Sequence, residues 1–287
     1  MPSLVGRLFI IRLLFTSIVV QSSLAQTAAP TKVILDHETF SQVAIKEFEP
    51  VAAQVSSLID SLIPGFAKGY PPAGIICFEA PPNLGEGWGA NPPPITLTGP
   101  KLPGEPSETV AGTIRIALFK VQPRDKFRFA FQLSHELAHV KMGPRSDNFL
   151  DETFAVAVSY EVLRRLGYEG YLLINQGLYV QDLPLQIQKS VSYGKWKDAQ
   201  IYWLDQAQKQ GESMGDRPFQ TLGAFLLLRG RGPRWNDLLN ISYLNSCPNR
   251  VADDQFHICP PDLPRMRVAS RELRALGFKP DQLKERK

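Results

Sequence analysis

The stretch from Lys126 to Met142 contains neither Gly nor Pro, and near its end it carries His135-Glu136-Leu137-Ala138-His139, an HExxH pattern. Phe127, Ala130, Phe131, Leu133, Leu137, Ala138 and Val140 give it a broad apolar surface, which predicts a largely buried helix. Gly143-Pro144 stops that helix, because Gly can take a positive φ at a helix end and Pro cannot continue the hydrogen-bond ladder. Side chains four residues apart share a helix face and stand about 6 Å apart along the axis, so His135 and His139 can grip one ion. The chain has only four histidines. Burying two of them beside a glutamate in an apolar helix is costly without a strong polar partner, and a metal is such a partner. The chemistry points to zinc, with Glu136 free beside the metal to act as a base.

A site of this kind needs a third protein ligand and leaves the fourth position to water. Glu152 is the first choice. The connection after Gly143 is short, so a helix from Glu152 to Leu166 should return antiparallel against the first, with its opening turn near His139. Phe154, Ala155, Val158, Val162 and Leu166 supply the helical spacing and Gly167 the stop. Asp147 and Asp151 are rivals for the ligand role, although Asp before an apolar periodic run also serves as an N-cap, and Asp151 has the further option of orienting a histidine. Glu161, about 13 Å farther along the second helix, is expected on its solvated face.

With His135, Glu136, His139 and Glu152 in place, the chain resembles the zincin metallopeptidases, specifically the gluzincin group, in which a glutamate ligand follows HExxH on a later helix. The Glu152-Thr153-Phe154-Ala155 segment is also similar to the compact ImmA/IrrE-type prokaryotic peptidases, where the glutamate precedes an Ala-rich helix. The resemblance covers residues 110 to 167. Met142 and Arg145 depart from the extended metzincin motif, and Val156 stands where thermolysin-type gluzincins carry Asp. The resemblance implies an α+β, zincin-like fold, mainly helical, with a small sheet whose edge strand precedes the HExxH helix and borders the cleft. Thr113 to Phe119 is the candidate for that strand, with a plain core strand as the alternative.

The expected activity is zinc-dependent hydrolysis of peptide bonds. Glu136 takes a proton from a zinc-activated water and passes it to the leaving amine, with zinc held by His135, His139 and Glu152. A further donor should stabilise the oxyanion. Tyr160, Tyr168, Tyr179, Tyr193 and His257 are available for that, and spacing selects none of them. The alternatives are a noncatalytic binding or assembly protein on the same scaffold, and a metal-dependent amidase acting on cell-wall material.

Arg7 and Arg12, the apolar run Leu13 to Val20 and Ser23-Leu24-Ala25 before Gln26 form a signal-peptide pattern over residues 1 to 25. A secreted or periplasmic protein without a stable membrane anchor is expected, because the apolar run is short for a span. Export permits a disulfide. Cys247 with Cys259 is the natural pair, leaving Cys77 as a buried thiol in an apolar run. Without Arg7 and Arg12 the chain has 30 basic against 28 acidic residues, a balance that suggests no nucleic-acid role. The expected partner is a peptide or protein substrate.

Residues 26 to 287 are expected to form one domain, with the zinc site in 26 to 167 and a helical part in 168 to 287. A helix running from about Val33 to Ile63 should break at Pro50. The Pro- and Gly-rich stretch from Tyr70 to Pro106, with Trp88, should hold little regular structure beyond a strand at Ile75 to Phe78. Helices are predicted over Lys195 to Gln210, Arg217 to Arg229 and Arg234 to Tyr243. A solvated helix capped by Ser270 should end near Gly277.

Overall fold

The computed structural model describes residues 31–66, 72–81, 84, 94–97, 112–143, 149–210, 217–229, 232–238 and 270–278. The signal-peptide pattern, Trp88, Asp147, His257 and the Cys247–Cys259 pairing lie outside these residues. Four strands, β1 (Val33–Leu35), β2 (Gly74–Glu79), β3 (Ile95–Leu97) and β4 (Thr113–Leu118), form one sheet in the order β1-β2-β4-β3. The first three in that order are parallel, and β3 runs antiparallel to β4. Between and after the strands come α1 (Gln42–Leu62), α2 (Lys126–Met142), α3 (Phe149–Arg165), α4 (Glu169–Val180), α5 (Leu185–Ser192), α6 (Trp196–Gln210), α7 (Arg217–Leu228), α8 (Trp235–Leu238) and α9 (Ser270–Ala275). The fold is α+β and mostly helical. No helix among the described residues is long and apolar enough to cross a membrane.

The HExxH helix α2 spans the predicted residues. Asp125 caps it, its Oδ1 accepting from the Arg128 N–H at 3.0 Å, and Gly143 ends it at φ 92°. From Phe129 to Met142 all but His139 are buried. Two side-chain contacts fix α2 to its neighbours. The Gln132 carboxamide donates to the Phe119 carbonyl and accepts from the Phe119 N–H, both at 2.9 Å, and so ties α2 to the chain just beyond β4. At the other end Lys141, only 1% exposed, reaches Asp60 of α1 at 2.6 Å and lies 4.1 Å from the Phe66 ring centroid. Phe48 of α1 stacks on Phe129 at 4.2 Å, a pair worth about 0.5–1.5 kcal/mol beyond its buried area.

Four expectations from the sequence are corrected here. Helix α1 runs unbroken through Pro50: both Pro50 and Lys46, whose carbonyl loses its intrahelical donor, are on the exposed face, where water can replace the missing bond. The helix also begins at Gln42, capped by Ser41, because Val33–Leu35 is drawn into the sheet as β1. The strand preceding α2 in sequence, β4, is interior and not the edge, with Ile116, Ala117 and Leu118 fully buried. The outer place on that side belongs to β3, in the stretch expected to be irregular. Helix α9 is packed rather than solvated, with Glu272, Leu273 and Leu276 buried and Phe278 set edge-on to Trp203.

The largest apolar cluster runs from Leu35 to Phe278 and so joins the α2–α3 pair to the later helices. A smaller one, centred on Phe78, Ala117 and Phe119, includes Ile95 and Leu97 of β3. Helix α7 crosses α3 at Gly223, where an added Cβ would come 2.5 Å from Thr153 Cγ2 and 2.6 Å from Trp203 Nε1, so only glycine fits. Trp203 stacks on Phe219 at 5.0 Å and donates to its carbonyl at 3.2 Å, which secures α6 against α7.

Lys141→Met keeps the buried stem and removes the charge, leaving Asp60 with Thr31 as its remaining partner. The expected loss is about 2–4 kcal/mol at pH 7, measured by urea unfolding. Burial pushes the Asp60 carboxyl up, but hydrogen bonds from Lys141 and Thr31 outweigh that and hold it below its ordinary value. Its contribution is therefore present above about pH 4 and is lost as the pH falls through the lowered folded value, so Lys141→Met should also flatten the acid side of the stability profile.

Candidate functional site

Helices α2 and α3 bring His135, His139 and Glu152 together. His135 and His139 lie one turn apart on α2, with their Nε2 atoms 3.2 Å from each other. Glu152, in the first turn of α3, sets Oε2 3.2 Å from His135 Nε2 and Oε1 3.3 Å from His139 Nε2. Glu136 completes the cluster: the ligand-type atoms of His135, Glu136 and His139 all lie within 4.8 Å of one another, a group that could hold a metal ion. Within that group Glu136 stands farther off, with Oε1 3.9 Å from His135 Nε2, and its Oε2 accepts a 2.6 Å hydrogen bond from the Thr96 hydroxyl. Thus Glu152 is the carboxylate in closest contact with both imidazoles, and Glu136 is held aside by β3.

The local folding explains the arrangement. Ser134 bonds back to the Ala130 and Phe131 carbonyls at 2.7 and 3.0 Å, satisfying its buried hydroxyl inside the helix. Helix α3 begins at Phe149, three residues earlier than the sequence suggests, so Asp151 is a buried first-turn residue and not an N-cap. Its charge still acts on His139. His135 Nδ1 is buried and has no hydrogen-bond partner among the described residues. Glu161 departs from expectation, being only 8% exposed. It sits against Arg164 and Arg165, each within 2.7 Å, because the two arginines that follow it by a helical turn fold over it.

His139 and Glu152 strongly perturb each other. Burial disfavours a charged His139, but the charge and hydrogen bond of Glu152, helped by Glu136 and Asp151, raise it to about 9. Burial likewise opposes ionised Glu152, and the two imidazoles overcome this and hold it far below the ordinary carboxylate range. The Cys77 thiol of β2, free and buried as the sequence predicts, is pushed up by burial first and then by the charges of Glu136 and Asp36.

A cavity of about 180 Å³ opens beside His135 and Glu152. Phe131, Val156 and Tyr160 give it an apolar wall, and Tyr179, Arg217 and Gln220 border its polar side. Of the five oxyanion-donor candidates, Tyr160 and Tyr179 reach this cavity. Tyr160 pairs with Thr221 Oγ1 at 3.3 Å, and the Tyr179 hydroxyl accepts from Arg217 at 2.8 Å. Tyr168 packs edge-on against Phe127 instead, and Tyr193 is exposed. The sequence left Thr96, Gln132 and Arg217 unnoticed. The β-branched pair Ile95-Thr96, set among prolines, was the one local hint of β3. Comparison with known proteins finds no matching family model, no matching curated protein and no matching solved structure.

With His139 raised to about 9, the metal-free cluster carries a proton on this imidazole at neutral pH. A divalent ion taken up by the two imidazoles must displace it, so binding at pH 7.5 should release about one proton, read by calorimetry in buffers of different ionisation enthalpy. Below an ordinary histidine value of about 6.5 the pair's contribution to metal-free stability is fully present, and it fades as the pH rises towards about 9. Glu152→Gln should remove that alkaline loss in thermal unfolding scans.

Proposed function

We infer that this chain is a zinc-dependent peptidase of gluzincin type, in which His135, His139 and Glu152 hold the metal and Glu136 is the general base. One observation carries the reading: the two imidazole Nε2 atoms stand 3.2 Å apart, and Glu152 sets one carboxylate oxygen 3.2 Å from the first and its other oxygen 3.3 Å from the second. Tetrahedral zinc with ligands at about 2.0–2.2 Å needs donor atoms roughly 3.3–3.5 Å apart. Two neutral-capable imidazoles and one carboxylate, with no thiolate, are also a usual donor set for catalytic rather than structural zinc. Zinc, when bound, lowers the pKa of its water and polarises a carbonyl oxygen.

The chain's own residues supply the rest. Glu136 is 3% exposed, which shields its carboxylate from bulk water. Thr96 occupies one of its oxygens, fixing the rotamer and leaving the other oxygen, Oε1, directed to the imidazole side. Because Thr96 belongs to an outer strand, the base and the strand next to which an extended peptide would lie are joined by one hydrogen bond. A peptide added to β3 through main-chain bonds would be placed without regard to its sequence, as the zincin resemblance implies. Tyr179, whose hydroxyl proton is left free to donate when its oxygen accepts from Arg217, is the better placed oxyanion donor of the two tyrosines at the cavity.

Glu136→Gln should keep zinc, measured by elemental mass spectrometry, while hydrolysis of casein and unstructured peptides falls by about a thousandfold or more. Thr96→Val, with zinc retained, should lower kcat about tenfold with little change in KM, because it loosens the base and leaves the metal site whole. A wild-type protein that holds zinc but cleaves only peptidoglycan fragments would replace the peptidase by an amidase. One that cannot be loaded with zinc would favour the noncatalytic scaffold.

A further inference from the structure

The cavity beside His135 and Glu152 contains a cation that its bond to Tyr179 leaves largely unused. Arg217, the first residue of α7, donates from Nη1 to the Tyr179 hydroxyl, and its guanidinium carbon lies 5.8 Å from that ring's centroid. Among the described residues its hydrogen-bond partner is thus a neutral phenol. At another cavity among the described residues Arg164 and Arg165 are matched by Glu161, while Arg229 lies 6.0 Å from the Trp196 ring centroid. A guanidinium has five donors in a planar fork suited to a carboxylate, and one bond to Tyr179 leaves most of them available. Phe131, Val156 and Tyr160 make an apolar wall, and the Glu152 carboxylate at the cavity's edge is already engaged by His135 and His139. At about 180 Å³ the space exceeds the roughly 150 Å³ that suffices for a benzene-sized group, so it admits one side chain or one chain end.

We propose that this cavity is a substrate subsite next to the scissile bond and that Arg217 selects a carboxylate within it, supplied by an Asp or Glu side chain or by the free C-terminus of the substrate. The proposal rests on the peptidase reading for its link to cleavage. The ligand chemistry stands on the cavity alone. Glu152 and Arg217 border one cavity, so a group held by the guanidinium places its adjoining backbone beside the imidazole–carboxylate cluster. The apolar wall supplies contact area, and the cation supplies orientation, the division of labour usual in small-molecule sites.

The first test needs no turnover. Calorimetry on the metal-free protein with 3-phenylpropanoate and 3-phenylpropanamide should show the carboxylate bound more tightly by roughly ten- to a hundredfold, the range of one charge-assisted hydrogen bond set. That preference should vanish in Arg217→Gln and return in part in Arg217→Lys, which also shows that α7 has folded. Equal binding of the two probes, or an undiminished preference in Arg217→Gln, overturns the proposal. The source of the carboxylate is then read with zinc-loaded Glu136→Gln protein and two peptides. Tighter binding of one with an internal Glu and an amidated C-terminus assigns a side chain; tighter binding of one without acidic side chains and with a free C-terminus assigns the chain end. Carboxylate binding without hydrolysis by the wild type keeps the subsite and rejects the peptidase, whereas cleavage indifferent to Arg217 rejects the subsite alone.

Discussion

A carboxylate inside a helix pair is the constraint on which the site depends. Glu152 is 8% exposed and is surrounded on α3 by wholly buried Phe154, Ala155 and Ala157. A lone ionised carboxylate there would cost several kcal/mol, and removal of its partners would leave that cost uncompensated. His135 and His139 satisfy it only if α2 and α3 keep one register and one separation. The restraints on α2 act at its flanks: Gln132 to Phe119 before the motif and Lys141 to Asp60 after it. These contacts hold the imidazoles still on a rigid element, which is what a site for an ion or a reacting group requires.

Four acids divide by the partner each has. Half-buried Asp60 meets the Lys141 amine, and Glu161 meets the Arg164 and Arg165 guanidinium groups. Glu152 and Glu136 meet imidazoles and a hydroxyl instead. Of the first kind, Lys141–Asp60 joins α2 to α1, and the Glu161 pairs brace the end of α3. The second kind can exchange a proton or yield a lone pair to an ion without leaving an unpaired fixed charge behind. Placing one kind at the periphery of α2 and the other along its active face lets rigidity and reactivity coexist on a single helix.

What could be read from the sequence was what repeats at a helical period. Helices α2 and α3, their glycine stops and the pairing of Glu152 with the motif histidines follow from local spacing and a short connection. What could not be read depends on contacts far apart in the chain. Strand β3 is three residues long and exists through its register with β4, where Thr96 faces Ile116, so nothing local announces that Thr96 meets a residue 40 positions away. The burial of Glu161 was missed because a helical-face argument places the residue but not the arginines that fold over it. Pro50 was read as a break from its missing N–H alone, whereas the apolar face of α1, from Ala44 to Leu62, outweighs one lost hydrogen bond on the wet side.

Helix α3 connects the two ends of the functional surface. Its first turn gives Glu152 to the imidazoles, and two turns later Tyr160 gives a wall to the cavity. Arg217 reaches that cavity because α7 crosses α3 closely, and it does so at Gly223 against Thr153. The position of the guanidinium is therefore set by the same backbone that sets Glu152. A substitution that forced α7 outward would move the cation without touching an ion-binding side chain. The side-chain bonds that tie α2 to α1 and to the chain beyond β4 do not involve α7, so the imidazoles can keep their place while the binding preference set by α7 changes.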